Sequence, residues 1–185
     1  TQADIAWQED FGLPDRTLVP TGRNPYFILQ PGFQIAFAGE NEKLTITVLD
    51  ETVEVGNVTT RVVEEREWKN DKLIEVSRNY FAICPKTKDV FYFGEDVDDY
   101  TDGKITGHGG AWRADQPGMK PGLIMPGSPK IGMKYYQEIA PGVAMDRAEI
   151  MNLTTSLKTP AGTFENCLKT QEGSALKPRE KEFKT

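Results

Sequence analysis

Apolar residues recur at every second position through most of this chain, and turn-forming pairs interrupt them at short intervals. Phe33, Ile35 and Phe37 alternate with Gln34 and Ala36, and Leu44, Ile46 and Val48 alternate with Thr45 and Thr47. That period puts successive side chains on opposite faces of an extended backbone, so each run reads as a strand with one buried face. After Val53-Glu54-Val55 come Gly56-Asn57 and the run 58–63, the signature of a two-residue hairpin. Residues 62–68 meet Asn70-Asp71 and return as 73–83, and a turn over 85–89 leads into Val90-Phe91-Tyr92-Phe93. No apolar stripe at helical spacing persists over three turns; the best window, 140–152, is broken at its start by Pro141-Gly142. The pattern predicts an all-β fold, an antiparallel meander forming a curved sheet or a partly closed β-barrel.

A chain of 185 residues fits one domain, 1–185, and buries a core without metals or several disulfides to hold it. Residues 1–30 read as an extended N-terminal segment. Residues 114–132, with four prolines and four glycines, read as a long loop, since such a composition opposes a strand ladder. Further strands are expected over 135–139, 143–153, 164–170 and 180–185. The 22 basic and 28 acidic residues leave a net charge of -6, with basic residues clustered only over 177–184. Nucleic acid is thereby excluded as a partner, because phosphate recognition needs a concentrated basic face. No apolar run reaches the roughly 18 to 20 residues of a membrane span. The chain opens at Thr1 without methionine, which leads to the expectation that a leader has been removed.

Unusual chemistry concentrates in residues 91–112. Glu95, Asp96, Asp98, Asp99 and Asp102 crowd what reads as the connection between a strand ending at Phe93 and one beginning at Lys104, with Thr101-Asp102-Gly103 suited to a tight turn. Clustered loop carboxylates attract hard cations, so these acids are either a calcium site or the solvated acids of a hairpin. An EF-hand does not fit: Tyr100 occupies the third ligand position and Gly103 comes too late. His108 lies in Gly107-His108-Gly109-Gly110, a segment of oxyanion-loop type. The chain holds no G-x-S-x-G and no second histidine, so the bland alternative is a turn histidine beside Trp112. A zinc site would need three or four His, Cys or acidic ligands, and one histidine with two distant cysteines falls short unless the cysteines stay reduced. With 28 acids, a carboxylate pair at glycosidase spacing carries no weight. The sequons at Asn57 and Asn152 matter only where the source glycosylates.

In a cupped sheet, Tyr80, Phe91, Phe93, Trp112, Tyr135 and Tyr136 either line an apolar ligand pocket or fill the core. Cys84 and Cys167 are either unrelated thiols or a pair. If joined, the long loop they close would contribute about 4 kcal/mol in the chain-entropy model.

The segments RNYFAICPKTKDVFYFGEDVDDYTDGK, KPGLIMPGSPKIGMKYYQEIAPGVAMDRAEI and TPAGTFENCLKTQEGSALKP resemble a family of bacterial exported or lipoprotein-type domains of uncharacterised function, across roughly residues 55–185. The resemblance implies a β-rich secreted, periplasmic or envelope domain and favours a Cys84–Cys167 disulfide. It carries over no catalytic residue. Similar chains continue with another tyrosine-rich strand, whereas residues 179–185 read as a strand without a following turn. That edge is accordingly expected to pair with a symmetry mate or a partner strand. The expected function is non-catalytic binding of a small ligand or of a cation such as calcium, or service as an envelope module. The alternatives are an assembly module pairing through the C-terminal edge, and a hydrolase or metal-dependent enzyme using His108 and nearby carboxylates.

Overall fold

A computed structural model describes residues 6–185, so residues 1–5 of the expected N-terminal segment lie outside the described residues. A 3₁₀ turn, Leu13–Asp15, precedes the strands β1 (Gly22–Arg23), β2 (Ile28–Leu29), β3 (Gln34–Ala38), β4 (Glu42–Val55), β5 (Val58–Lys69), β6 (Lys72–Ile83) and β7 (Val90–Thr101). Then come β8 (Lys104–Gly107), β9 (Trp112–Arg113), β10 (Lys120–Met125), β11 (Lys134–Tyr136), β12 (Glu138–Ile139), β13 (Asp146–Thr159), β14 (Gly162–Ser174) and β15 (Glu182–Lys184). The fold is all-β, as the alternation predicts. A nine-stranded antiparallel sheet, in the order β12-β10-β7-β6-β5-β4-β3 with β8 and β9 also on β7, curls into a half-barrel. The order β11-β13-β14-β15 forms a second sheet, and β1-β2 a small ribbon.

Turn chemistry fixes the long hairpins. Asn70 and Asp71 take φ of 51° and 59° between β5 and β6, and Asp102 and Gly103 take 48° and 76° between β7 and β8. Paired left-handed residues match the twist of antiparallel strands. Register shifts in β4 against β5, between Val48 and Thr52, and in β7 against β6, between Tyr92 and Glu95, add local twist and bend the sheet.

Each face of the large sheet carries its own core. On one, Val62, Tyr80, Ala82, Phe91 and Phe93 pack with Ala148, Ile150 and Leu168 of the second sheet and with Phe11. On the other, Val48, Val63, Phe81, Val90 and Tyr92 pack with Trp112 and with Leu29 of the ribbon. No helix among the described residues is long and apolar enough to cross a membrane.

Two expectations on chain path are corrected. Strand β7 does not stop at Phe93 but runs to Thr101, because Gly94, at φ 127°, absorbs an extra residue as a bulge and the ladder resumes beyond it. Residues 114–132 are not all loop, since they contain β10 between β7 and β12. Pro117, Pro126 and Pro129 fall outside that strand, and Gly122 lets the Gln137 carbonyl approach so closely that a Cβ there would lie 2.1 Å from its oxygen.

The expected disulfide is also corrected: Cys84 and Cys167 are free thiols. Cys84 is buried at the end of β6, where its carbonyl accepts from Lys88 N–H at 2.8 Å. Cys167 sits on β14 of the other sheet, opposite Thr155. Its neighbour Leu168 takes the inward place in the core that Cys84 shares, and strand alternation turns Cys167 away. Alkylation without reductant, followed by mass spectrometry, should therefore label Cys167 in the folded protein and both cysteines after denaturation. A denatured protein that takes no label would contradict this arrangement.

Candidate functional site

The structure separates most residues that the sequence pointed to. Glu95, Asp96, Asp98 and Asp99 lie on β7 rather than on a loop, and strand alternation sends Glu95 and Asp99 to one face, Asp96 and Asp98 to the other. Each acid outside the bulge already has a local partner. Asp96 accepts from Tyr80 Oη at 2.6 Å and from Arg113 at 2.8 Å, Asp99 from Gly109 N–H at 2.9 Å, and Asp102 pairs with Lys72 at 2.9 Å. Among the described residues, no group of three or more His, Cys, Asp or Glu side chains is arranged to hold a metal ion, which overturns the calcium site. His108 does meet a carboxylate, Asp98, at 3.0 Å, and its Nδ1 also lies 2.8 Å from the Val97 carbonyl. Its side chain is 67% exposed, so the pair sits at the surface rather than in a cleft. The six aromatics Tyr80, Phe91, Phe93, Trp112, Tyr135 and Tyr136 are all buried in the two cores. Phe93 borders an open groove of about 620 Å³ between residues 9–18 and the β4–β5 turn.

The register brings together a different set. Across the large sheet, Phe37, Leu44, Glu67, Glu75 and Asp99 stand side by side on β3 to β7. The next row reads Ile35, Ile46, Glu65, Ser77 and Val97, and the third reads Val48, Val63, Asn79, Glu95 and Trp112. One face thus changes from apolar on β3 and β4 to carboxyl-rich on β5, β6 and β7. Glu67, Glu75 and Asp99 are direct cross-strand neighbours, and like charges directly opposite one another destabilise a sheet. None of the three rows contains a lysine or arginine.

These carboxyls are half-buried, and Glu65 and Glu95 are the more enclosed of them. Burial pushes the Glu65 carboxyl up to about 7, with the charge of Glu67 adding and that of Lys184 opposing. Burial likewise raises Glu95 to about 7, opposed by the nearby Tyr92 hydroxyl, and Glu75 rises through burial and the charges of Glu67 and Asp99. Glu138 on β12 reaches about 8 through burial and the charges of Asp146 and Glu95, opposed by the Trp112 indole N–H. Strongly shifted carboxyls gathered on one surface mark a candidate functional site.

Polar groups line the transition from core to carboxyls. The Tyr92 hydroxyl donates to Asn79 Oδ1, and Asn79 Nδ2 donates to Ser77 Oγ at 3.0 Å. Trp112 is 1% exposed, and its Nε1 completes no hydrogen bond although it lies close enough to Glu138 to bias that carboxyl toward ionisation. A buried indole N–H aimed at a carboxyl cluster without a finished partner is a costly arrangement for a merely structural surface. On the second sheet, Lys184 of β15 bonds Glu172 at 2.8 Å and Glu182 at 3.1 Å, and its charge reaches Glu65 and Glu138.

Sequence reasoning missed Glu65, Glu67, Glu75 and Glu138. A signal was present for the first three: by strand alternation Glu65 and Glu67 share a face with Val63, and Glu75 shares one with Phe81 and Ile83, so acids stand at positions continuing an apolar face. No protein-family model, curated protein or solved structure matches this chain. Fold and face together define it as an all-β half-barrel with a mixed apolar and carboxyl surface.

Because the folded protein holds protons on Glu65, Glu75, Glu95 and Glu138 above the ordinary carboxyl value of 4.5, their contribution to stability is complete below that value. It is lost as pH rises through about 7 for Glu65 and Glu95 and about 8 for Glu138. The melting temperature should therefore fall between about pH 5 and about pH 8.5. Glu95→Gln and Glu138→Gln should each flatten that slope, and a melting temperature that climbs over the same interval would contradict the assignment.

Proposed function

We propose that this chain is a binding domain of the exported, envelope type, whose carboxyl face takes an organic cation carrying an apolar portion. The observation that carries the reading is the cross-strand row Glu67, Glu75 and Asp99, with Glu65 and Glu95 beside it and no basic residue in the rows. Their mutual repulsion and desolvation are relieved when a cation enters, so ligand binding recovers energy that the empty face lacks. Separate local partners on Asp96, Asp98 and Asp102 leave no compact oxygen cage, which favours a spread ammonium or guanidinium over a metal ion. Leu44 and Ile46 continue the same rows, so a hydrocarbon segment beside the charged head would lie against them. The exported setting is supported by the resemblance of the segments over 55–185 to envelope domains and does not depend on a disulfide.

Calorimetric titration with spermidine and with a long-chain alkylamine, at low salt, tests the reading. Binding at neutral pH should expel protons from Glu65, Glu95 and Glu138, so the measured heat should change with the ionisation enthalpy of the buffer. Glu75→Gln with Glu95→Gln should weaken binding at least tenfold. Absence of binding by either amine at about pH 8.5, where the carboxyls carry charge, would overturn the proposal.

A further inference from the structure

We infer that β3 is the contact through which two copies of this chain pair, edge to edge and antiparallel, joining their half-barrels into one continuous sheet. The argument does not rest on the ligand reading. Strand β3 is the outermost strand of the nine-stranded sheet, and all five of its residues are exposed. Its ladder with β4 is regular from Gln34 opposite Thr47 to Ala38 opposite Lys43, with no bulge to twist the edge away. The Gly39 N–H bonds the Glu42 carbonyl and the Phe33 carbonyl accepts from Val48 N–H, so the odd-numbered residues face β4. By the alternation of an antiparallel ladder, the N–H and C=O groups of Gln34, Ala36 and Ala38 point outward, and no strand of the described residues lies beside them.

Natural edges of this kind are guarded by lysine, proline, an inward charge or a bulge. The sequence Gln34-Ile35-Ala36-Phe37-Ala38 has none of these. The opposite end of the second sheet shows the contrast: β15 carries Glu182 and Lys184. The unguarded stretch also matches itself. A two-fold axis at Ala36 sets Ala36 opposite Ala36 of the second copy, Gln34 opposite Ala38 and Ile35 opposite Phe37. The outward groups fall on hydrogen-bonded positions in this register, and no charge meets a like charge. Ile35 and Phe37 are 39% and 51% exposed, and in this register they cover one another across the axis. An isologous contact of this type closes on itself and makes a dimer rather than a fibre.

Light scattering coupled to gel filtration, and sedimentation equilibrium, over low-micromolar to near-millimolar protein should show a monomer–dimer equilibrium. Ala36→Pro removes an outward N–H that β4 does not use, and Phe37→Lys places a charge beside the axis, against Ile35 of the second copy. Each should weaken self-association at least tenfold without lowering the melting temperature by more than a few degrees. If Ala36→Pro fails to fold, Phe37→Lys and a crosslink decide. In a Cys84→Ser, Cys167→Ser background, Ala36→Cys should form an intermolecular disulfide on mild oxidation, since opposed Cα atoms at such a position lie about 5.5 Å apart. Ile131→Cys, exposed elsewhere, should not. A wild-type monomer at every concentration overturns the inference, as does a dimer that Phe37→Lys leaves intact or an Ala36→Cys variant that does not crosslink.

Discussion

The carboxyl face depends on one missing side chain, at Gly94. Between Tyr92 and Glu95, β7 advances three residues while β6 advances two, and the extra residue reverses which face every later side chain of β7 occupies. Without the bulge, Glu95 and Asp99 would follow Phe91 and Phe93, and Asp96 and Asp98 would join the carboxyl rows. With it, Glu95 and Asp99 stand beside Asn79 and Glu75, while Asp96 meets Tyr80 and Arg113. Only glycine serves there, because a Cβ at Gly94 would lie 2.2 Å from the Trp112 carbonyl oxygen. The same close approach seats β9 on β7 and buries Trp112 against Tyr92, whose rings meet edge to face at 5.5 Å. One bulge thus sorts the acids and positions the indole N–H beside Glu138.

The two faces of the outer half of the sheet then differ in kind. On one, acids and bases alternate as a solvated surface does: Arg78 pairs with Glu51, Arg66 with Glu64 and Arg113 with Asp96. Exposed pairs of this sort contribute little to stability and need no functional explanation. On the other face acids meet acids, and Lys184, a cation that reaches them, comes from the second sheet and is already held by Glu172 and Glu182. Those two carboxylates outweigh burial and keep the Lys184 pKa above the ordinary lysine range. We place the proposed site on the carboxyl rows rather than on the grooves because a guest cation would offset the opposition that these rows raise to folding at neutral pH.

The alternation of Ile35 with Phe37 and of Leu44 with Val48, and the dipeptides Gly56-Asn57 and Asn70-Asp71, made the strands and hairpins legible because period and turn chemistry are local properties. The face was harder to read. Acids over 95–102 look like a loop when counted along the chain, and only the register across the ladder shows which neighbour each of them meets. Glu67, Glu75 and Asp99 are 32 positions apart at their extremes, so their adjacency is a property of register alone. Glu138 is further removed, arriving through a two-residue strand beyond a segment whose prolines argued against any ladder. The cysteines mislead for the same reason, since pairing depends on which face Leu168 claims.

The account stands on the protonation state of the carboxyl face, which carbon-detected NMR of the glutamate side chains reads residue by residue. In the ligand-free protein, the carboxyl resonances of Glu65 and Glu95 should titrate with midpoints about 7 and that of Glu138 about 8, assigned through the individual glutamine variants. Midpoints for all three near the ordinary value of 4.5 would show that the face is fully ionised at neutral pH and would contradict the account.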